Sequence, residues 1–278
     1  MQNFMRRVGV LLGVFGLVLA VQAANYYVAT NGSDAADGAS WATAKQTLHA
    51  GLALAGNNDV VTVSNGTYAL TNQLELTQGI TLRSLNGAAV TFISGSQTTR
   101  CAYVSHADAV MEGFTITQGR ADGSGYGGGG VYMYAAGTVK DCIISNNVCE
   151  SGAGRGGAGV YIENGGLLTN CQVLNNVSVK EGGGVFTWFG GSVVLSVIKD
   201  NQATRGGGMY SHMYGGTVSN NLFAGNTATT DGGGVNVYGN GMTLVDCVLS
   251  NNVAPKGGGA LFVTGGSMVR GQVIHNTA

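Results

Sequence analysis

Aromatic side chains that follow a series of glycine clusters are the residues of this chain best suited to bind a ligand. The clusters end in Val131, Val160, Val185, Met209 and Val235, and successive side chains of a strand point to opposite faces. If these apolar residues point inward, the next residue and the one two positions further on point outward. We therefore expect an aromatic stripe on one outer face, made of Tyr132, Tyr134, Tyr161, Phe186, Trp188, Tyr210 and Tyr238.

The stripe has two interpretations. Aromatic faces stack on sugar rings and exposed apolar patches often mark binding sites, so the stripe predicts a carbohydrate-binding surface. Aromatic residues are also enriched in strands, where they pack on one another, so the same pattern fits a purely structural stack. Both interpretations stay open at the level of the sequence.

Carboxylates are the residues that an enzyme acting on polysaccharides would need. A lyase would hold calcium with clustered carboxylates beside an Arg or Lys base, and a glycoside hydrolase places two carboxylates about 5–9.5 Å apart. Glu163 and Glu181 fall in neighbouring repeats but at different repeat positions, and the other acidic residues of the repeats are scattered. We therefore predict no catalytic residues, and the sequence favours a protein that is not an enzyme over a polysaccharide lyase or hydrolase.

No cofactor or metal site is predicted. Asp34 and Asp37 could ligate calcium, but their segment lacks the ligand spacing of an EF-hand loop, and its Asn-Gly and Asp-Gly pairs are turn formers. The glycine clusters are not followed by Gly-Lys-Ser or Gly-Lys-Thr, so they do not form a phosphate-binding loop. A formal net charge of −1 offers no electrostatic basis for binding nucleic acid.

The chain has 5 cysteines, and this odd number leaves at least one thiol without a partner. Cys142, Cys171 and Cys247 share one repeat position, and Cys142 and Cys171 belong to consecutive repeats. A disulfide between those two residues and a stack of buried thiols both fit this arrangement.

A repeat must position all of these side chains. The apolar residue after each glycine cluster occurs at positions 131, 160, 185, 209, 235 and 260, which are 24 to 29 residues apart. Each repeat also has an asparagine with a large apolar residue three positions before it and a small residue two positions after it. These asparagines are Asn147, Asn176, Asn201, Asn226, Asn252 and Asn276.

Stacking of the repeats explains this pattern. Alone, a repeat of this length cannot bury its apolar side chains, whereas coils stacked about 4.8 Å apart can. The pattern predicts an all-β fold, a single-stranded right-handed parallel β-helix solenoid with a short N-terminal capping helix. Within it we expect the asparagines to form a hydrogen-bonded ladder and the glycines to supply positive φ angles at the corners.

The chain divides into three parts. Residues 1–23 are predicted to be a signal peptide, because Arg6 and Arg7 precede an apolar run and a small-x-small site ends at Ala23. Residues 24–58 are expected to cap the solenoid with a strand and an amphipathic helix over Thr43 to Ala55, and residues 59–278 to form its coils. The chain stops within a repeat, so we expect the natural product to continue beyond residue 278. Strands of the first coils are predicted at Val60–Val63, Ile80–Leu82, Val90–Ile93, Ala102–Val104 and Val110–Ile116.

Two parts of the chain, its N-terminal part and its later repeats, each resemble a known family. The stretch from Tyr27 to Asp34, followed by the stretches Gly38 to Thr43 and Val61 to Tyr68, resembles the N-terminal cap of bacterial secreted pectate-lyase-like β-helix proteins. The element Phe223-Ala224-Gly225-Asn226, with the glycine cluster and Val235 after it, resembles the repeats of chlamydial-type polymorphic outer membrane proteins. The resemblance implies a β-helix, in a superfamily that includes lyases, hydrolases and adhesins.

These observations lead to one functional expectation and two alternatives. We expect an exported cell-surface or extracellular protein with an adhesive or glycan-binding role, whose partner is an extracellular polysaccharide or a cell-surface glycan. No membrane span is expected after the signal peptide. A polysaccharide lyase or glycoside hydrolase is the first alternative, and a structural passenger or stalk segment of a larger outer-membrane protein is the second.

Overall fold

The computed structural model describes residues 23–122, 126–150, 155–213, 216–239 and 241–278. Its strands join into four sheets, which we number 1 to 4 in the order in which the chain passes through them within one coil. A complete coil contributes one strand to each sheet before the next coil starts. Sheet 4 has eight strands, so the solenoid has about eight coils. The predicted fold, an all-β single-stranded right-handed parallel β-helix, is confirmed.

Sheets 1 and 2 follow each other around a tight corner. The strands of sheet 1 are Asn25–Val28, Val60–Val63, Thr81–Ser84, Val110–Glu112, Thr138–Lys140, Leu167–Thr169, Ser192–Val194, Thr217–Ser219, Thr243–Val245 and Ser267–Val269. The strands of sheet 2 are Gly66–Ala69, Thr91–Ser94, Thr115–Thr117, Ile143–Ser145, Gln172–Leu174, Val197–Lys199, Leu222–Ala224, Val248–Ser250 and Gln272–Ile274.

Sheets 3 and 4 complete the coil, and turns of variable length lie between them. The strands of sheet 3 are Arg120–Ala121, Val148–Cys149, Val177–Ser178, Gln202–Arg205 and Thr227–Asp231. The strands of sheet 4 are Leu74–Leu76, Ala102–Val104, Val131–Met133, Val160–Glu163, Val185–Trp188, Met209–His212, Val235–Tyr238 and Ala260–Phe262.

Inward-pointing side chains form one continuous core along the solenoid. In sheet 4, Val160, Val185 and Met209 pair in register and are 0% exposed. Burying an apolar side chain of this size contributes about 1.5–3 kcal/mol to the free energy of unfolding. Because equivalent residues lie above one another, the repeat of the sequence becomes an apolar column in the structure.

The six asparagines lie one above another at the corner between sheets 2 and 3. The side-chain amide of Asn176 donates to Asn201 Oδ1 at 3.0 Å and to the Ile144 carbonyl oxygen at 2.9 Å. Asn201 Oδ1 also accepts the backbone N–H of Asn176 at 2.9 Å. The same contacts recur from Asn147 to Asn276. Buried amides are stable here because neighbouring coils satisfy their donors and acceptors.

The glycine clusters meet two different backbone requirements at the entry to sheet 4. The first glycine of a cluster, for example Gly182 with φ +62°, adopts the left-handed conformation that other residues avoid. The last glycine of that cluster, Gly184, has no positive φ, but a Cβ there would lie 2.6 Å from the Gly208 carbonyl oxygen and 3.0 Å from Asn201 Nδ2. Positive φ therefore explains only part of each cluster, and the close approach of neighbouring coils explains the rest.

The N-terminal helix is shorter than predicted. In place of one helix over Thr43 to Ala55, the chain forms a 3-10 helix at Trp41–Thr43 and an α-helix at Leu48–Leu52. The Thr47 hydroxyl accepts a hydrogen bond from the first turn of the α-helix, and Asp34 accepts from the Thr47 N–H and hydroxyl at 2.8 Å. The helix therefore starts after Thr47, at a position set by Asp34 from a remote turn.

The strand prediction over Val110–Ile116 is wrong. Two strands, Val110–Glu112 and Thr115–Thr117, occupy this stretch and belong to sheets 1 and 2. Gly113 lies between them with φ +78° and turns the chain around the corner. The other predicted strands of the first coils are present to within two residues of their predicted ends, whereas Gly66–Ala69 and Leu74–Leu76 were not predicted.

All 5 cysteines are buried and free. Cys142 and Cys171 occupy the same position of consecutive coils, as the stack of buried thiols requires, and they are not joined by a disulfide. Burial raises the pKa of the Cys149 thiol to about 11 and that of the Cys101 thiol to about 12. These two thiols are therefore protonated and unreactive at neutral pH.

The predicted signal peptide falls on residues 1–23, of which only Ala23 is described. Within the described part of the chain, no helix is long and apolar enough to cross a membrane.

The asparagine ladder leads to a stability prediction. Asn201→Ala leaves the Asn176 amide and the Val173 carbonyl oxygen without their partners. Since each buried unsatisfied polar group costs about 1–3 kcal/mol, we expect the free energy of unfolding to fall by about 3 kcal/mol or more. Asn276→Ala is the matched control, because Asn276 is half-exposed and water can replace its contacts. Urea denaturation followed by circular dichroism measures both, and equal losses would contradict the role of the ladder.

Candidate functional site

The predicted aromatic stripe lies on the outer face of sheet 4 in two columns. The inner ring stack consists of Tyr132, Tyr161, Phe186 and Tyr210, which pair in register. Consecutive ring centroids in this stack are 5.0, 5.1 and 5.3 Å apart. All four side chains are buried and form an aromatic cluster separate from the main core.

The expectation that these four rings are exposed is wrong. Side chains that precede the strands of sheet 4 cover them. Arg100 comes from the turn before Ala102–Val104 and lies over the Tyr132 ring, 5.2 Å from its centroid, and Arg205 ends the sheet 3 strand Gln202–Arg205 and lies over Tyr210 at 5.5 Å. Strand alternation correctly places the rings on the outer side of the sheet. It carries no information about turns that fold back over that side.

The outer column lies beside the turn that leads to sheet 1. Its exposed rings are Tyr134 and Tyr238, which are 43% and 41% exposed. Between them lie Glu163, Trp188 and His212, one in each coil. Trp188 and His212 are stacked with centroids 4.0 Å apart and an interplanar angle of 2°, and His212 stacks on Tyr238 at 5.2 Å. The outer column is therefore a continuous stack in its last three coils.

Arg155 connects the two columns. Its guanidinium carbon lies 3.1 Å from the centroid of Trp188 and 5.5 Å from that of Tyr126. Its Nη1 donates a hydrogen bond to the Tyr161 hydroxyl at 3.2 Å. A cation over an aromatic face stabilises the contact by about 0.5–2 kcal/mol, so these contacts hold the Arg155 side chain against sheet 4.

Glu163 is a buried carboxylate, with only 8% of its surface exposed. Its Oε2 accepts a hydrogen bond from the Tyr132 hydroxyl at 2.6 Å. Burial and then the adjacent Glu163 carboxylate raise the pKa of Tyr132 far above its usual value. Tyr132 therefore stays protonated and acts as a hydrogen-bond donor, not as a base.

A cleft of about 330 Å³ opens beside the stacked part of the outer column. Its aromatic walls come from both columns, and Arg155, Arg205 and Glu181 supply its charges. Arg205 forms an ion pair with Glu181 in the preceding coil. Apolar ring faces next to charged and hydrogen-bonding groups are the combination that ligand sites use for contact area and orientation.

His212 is the histidine of the cleft. Burial and then the positive charge of Arg155 lower its pKa below the ordinary 6.5. The imidazole is therefore neutral at pH 7, and its buried Nδ1 has no hydrogen-bond partner in the described part of the protein.

The acidic residues considered as calcium ligands or catalytic groups are dispersed. Asp34 binds Thr47 and the Gln46 N–H at the helix cap, and Asp37 accepts from the Ala39 N–H. Among the residues that the structure describes, no three His, Cys, Asp or Glu side chains form a group that could hold a metal ion. A larger cleft, of about 560 Å³, lies at the cap, away from the aromatic stripe.

Sequence reasoning missed Arg155 and Tyr126 as parts of this site. Both come from the turns between sheets 3 and 4, ahead of Val160 and Val131. The signal available was length, because the steps from Ala102 to Val131 and from Val131 to Val160 are each 29 residues, whereas the later steps are 24 to 26 residues. Extra residues in a solenoid repeat lie in its turns and often form its binding face.

Comparisons with known proteins agree with this architecture. The profile of the family described as "Right handed beta helix region" matches residues 79–278. The chain is similar to a pectin methylesterase, PemA from Erwinia chrysanthemi, with a TM-score of 0.52 and 10% identity over 88% of this chain and 90% of that one. It is also similar to the pectate lyase Pel9A, with a TM-score of 0.50 and 14% identity over 91% of this chain and 78% of that one. At these identities the likeness shows the fold alone, and no curated protein matches the sequence.

Arg155 lies on Trp188, which stacks on His212, and this arrangement leads to a prediction about the pKa of His212. In the folded protein the imidazole takes up its proton below pH 6.5, whereas the unfolded chain takes it up at the ordinary value. This group therefore lowers the free energy of unfolding as the pH falls below about 6.5. Arg155→Met removes the positive charge and is expected to raise the pKa of His212 towards 6.5. An NMR titration of the imidazole protons measures this shift, and a His212 pKa that does not respond to Arg155→Met would contradict the assigned contact.

Proposed function

The chain belongs to the right-handed β-helix family, and on that premise we propose that it is an exported, cell-surface or extracellular protein that binds polysaccharide on the outer face of sheet 4. The observation that carries the proposal is the stacked outer column of Trp188, His212 and Tyr238 beside a cleft with charged groups. Export rests on the predicted signal peptide over residues 1–23.

The shape of this face favours an extended ligand. The outer column runs parallel to the solenoid axis, and its exposed rings, Tyr134 and Tyr238, are four coils apart. At about 4.8 Å per coil the column spans roughly 19 Å. A polymer that lies along the axis can contact the whole column, whereas a single sugar can contact only one or two coils.

The chemistry of the cleft favours a sugar. Aromatic rings offer flat apolar faces to C–H groups, and tyrosine adds a polar tip that forms hydrogen bonds. Arg155, Arg205 and Glu181 can exchange hydrogen bonds with hydroxyl or carboxylate groups. The two similar solved structures are named as enzymes of pectin and pectate, which are polysaccharides, and this supports the ligand class.

Binding is favoured over catalysis because the carboxylates near the cleft are engaged. Glu163 accepts the Tyr132 hydroxyl, and Glu181 pairs with Arg205. One observation favours the alternative of a polysaccharide lyase. A neutral His212 with an unpartnered Nδ1 lies in the same cleft as two arginines, so a base and groups that can neutralise a carboxylate are present together.

The binding proposal leads to a prediction for Tyr238. Its ring is exposed and packs on His212, so Tyr238→Ala removes ligand contact area with little effect on the core. We expect affinity for the bound polysaccharide to fall about tenfold, which corresponds to about 1.4 kcal/mol, and Trp188→Ala to weaken binding further. Trp41→Ala is the control, because Trp41 is 43% exposed but lies in the N-terminal cap.

A polysaccharide array followed by titration calorimetry measures these affinities. If the unaltered protein binds a polysaccharide and the Tyr238→Ala and Trp188→Ala variants bind it equally well, the site lies elsewhere. If no polysaccharide binds, the proposed function is wrong. Release of unsaturated ends from a bound polymer, abolished by His212→Gln, would favour the lyase.

A further inference from the structure

The turn from sheet 4 to sheet 1 requires a left-handed residue in each of four consecutive coils. The residues that occupy it are Asn164 with φ +58°, Phe189 with φ +53°, Met213 with φ +72° and Gly239 with φ +137°. Glycine adopts this conformation without cost and asparagine tolerates it, whereas it is unfavourable for other L-residues. The first and last coils therefore carry residues suited to the turn, and the two middle coils do not.

Burial in the core does not offset the cost of the left-handed conformation at either middle residue. Phe189 is 43% exposed and Met213 is 38% exposed. Phe189 contacts the edge of Trp188, with centroids 5.4 Å apart and an interplanar angle of 87°. Large apolar residues that combine an unfavourable backbone conformation with exposure break the local folding rules, and their place in the fold decides whether this serves a function.

The position of the two residues indicates what they serve. Phe189 directly follows Trp188, and Met213 directly follows His212, so they extend the two coils whose rings are most tightly stacked in the outer column. They lie in adjacent coils at equivalent turn positions. Each directly follows a residue that lines the cleft, Trp188 or His212, on the side of the chain that leads to sheet 1.

We propose that Phe189 and Met213 are binding residues of the polysaccharide site and hold the apolar faces of consecutive sugar units of a chain that lies along the solenoid axis. This inference rests on the proposed function and adds two residues that contact consecutive units of the same linear polysaccharide. Two apolar side chains in adjacent coils favour a ligand that repeats along the axis.

The experiment uses substitutions that suit the backbone but remove the apolar contact. Phe189→Asn and Met213→Asn introduce asparagine, the residue type that occupies the equivalent turn position at Asn164. Leu195→Asn is the matched control, because Leu195 has φ +54° and is 60% exposed, but it lies at the turn between sheets 1 and 2. Thermal unfolding and calorimetric titration with an oligosaccharide series, from disaccharide to octasaccharide of the polymer found on the array, are measured for each protein.

The expected result separates stability from binding. All three substitutions should leave the melting temperature unchanged or raise it, because asparagine tolerates the left-handed conformation. Phe189→Asn and Met213→Asn should each weaken binding about threefold to tenfold, the size of one lost aromatic or apolar contact. The loss should be larger for long oligosaccharides than for the disaccharide, and Leu195→Asn should bind like the unaltered protein.

Several outcomes would overturn the inference. If the unaltered protein binds polysaccharide and both variants bind equally well, the two residues are not part of the site, although the proposed function stands. A lower melting temperature for Phe189→Asn and Met213→Asn would show that they serve folding. Self-association of the unaltered protein that both variants abolish would make this face an interface between copies. If no polysaccharide binds at all, the proposed function and this inference both fall.

Discussion

The constraint on which the structure depends is the vertical register between coils. Each coil places Gly-Gly backbone so close to the next coil that a Cβ at Gly184 would meet the Gly208 carbonyl oxygen and the Asn201 amide. The asparagine of each coil can reach its neighbour only when this spacing is kept. The glycine cluster and the asparagine of a coil therefore depend on each other. The glycines allow neighbouring coils to approach closely, and the asparagine forms hydrogen bonds with the polar groups that this approach buries.

With the interior constrained in this way, variation is left to the outer faces and the turns. Inward positions of sheet 4 hold the same kind of residue in coil after coil, such as Val160, Val185 and Met209. The outward positions change from Glu163 to Trp188 and then to His212 between adjacent coils. A solenoid that tolerates change only on its surface concentrates any specific function there.

The few charged residues near sheet 4 are used to arrange aromatic rings. Arg155 lies on Trp188 and binds the Tyr161 hydroxyl, and Arg205 covers Tyr210 while it pairs with Glu181. These contacts bury the inner ring stack and leave the outer column beside an open cleft. Burial and the positive charge of Arg155 also lower the pKa of His212 and keep its imidazole neutral at pH 7. The geometry and the electrostatics of this face thus have one origin in charged residues that precede the strands of sheet 4.

The repeat by itself determined the architecture. Inward apolar residues, asparagines and glycines recur at one spacing. Stacking the coils in register buries the apolar residues, lets the asparagines form hydrogen bonds with one another and leaves room for the backbone at the glycines. Strand alternation also determined that Tyr132, Tyr161, Phe186 and Tyr210 point away from the main core. Tertiary structure alone decided that these rings are covered. Arg100 and Arg205 lie over Tyr132 and Tyr210, and Tyr126 and Arg155 reach Tyr161 from turns that differ in length between coils.

The same distinction applies at the N-terminus and at the turns that contain Phe189 and Met213. The helix begins after Thr47 because Asp34, remote in sequence, binds the Thr47 N–H and hydroxyl. The sequence gives no indication of the left-handed φ at Phe189, because phenylalanine disfavours this conformation, whereas Asn164 and Gly239 at the equivalent turns are residue types that adopt it. Periodicity determines which residues lie above one another, whereas the path of a turn depends on contacts between coils that no local pattern encodes.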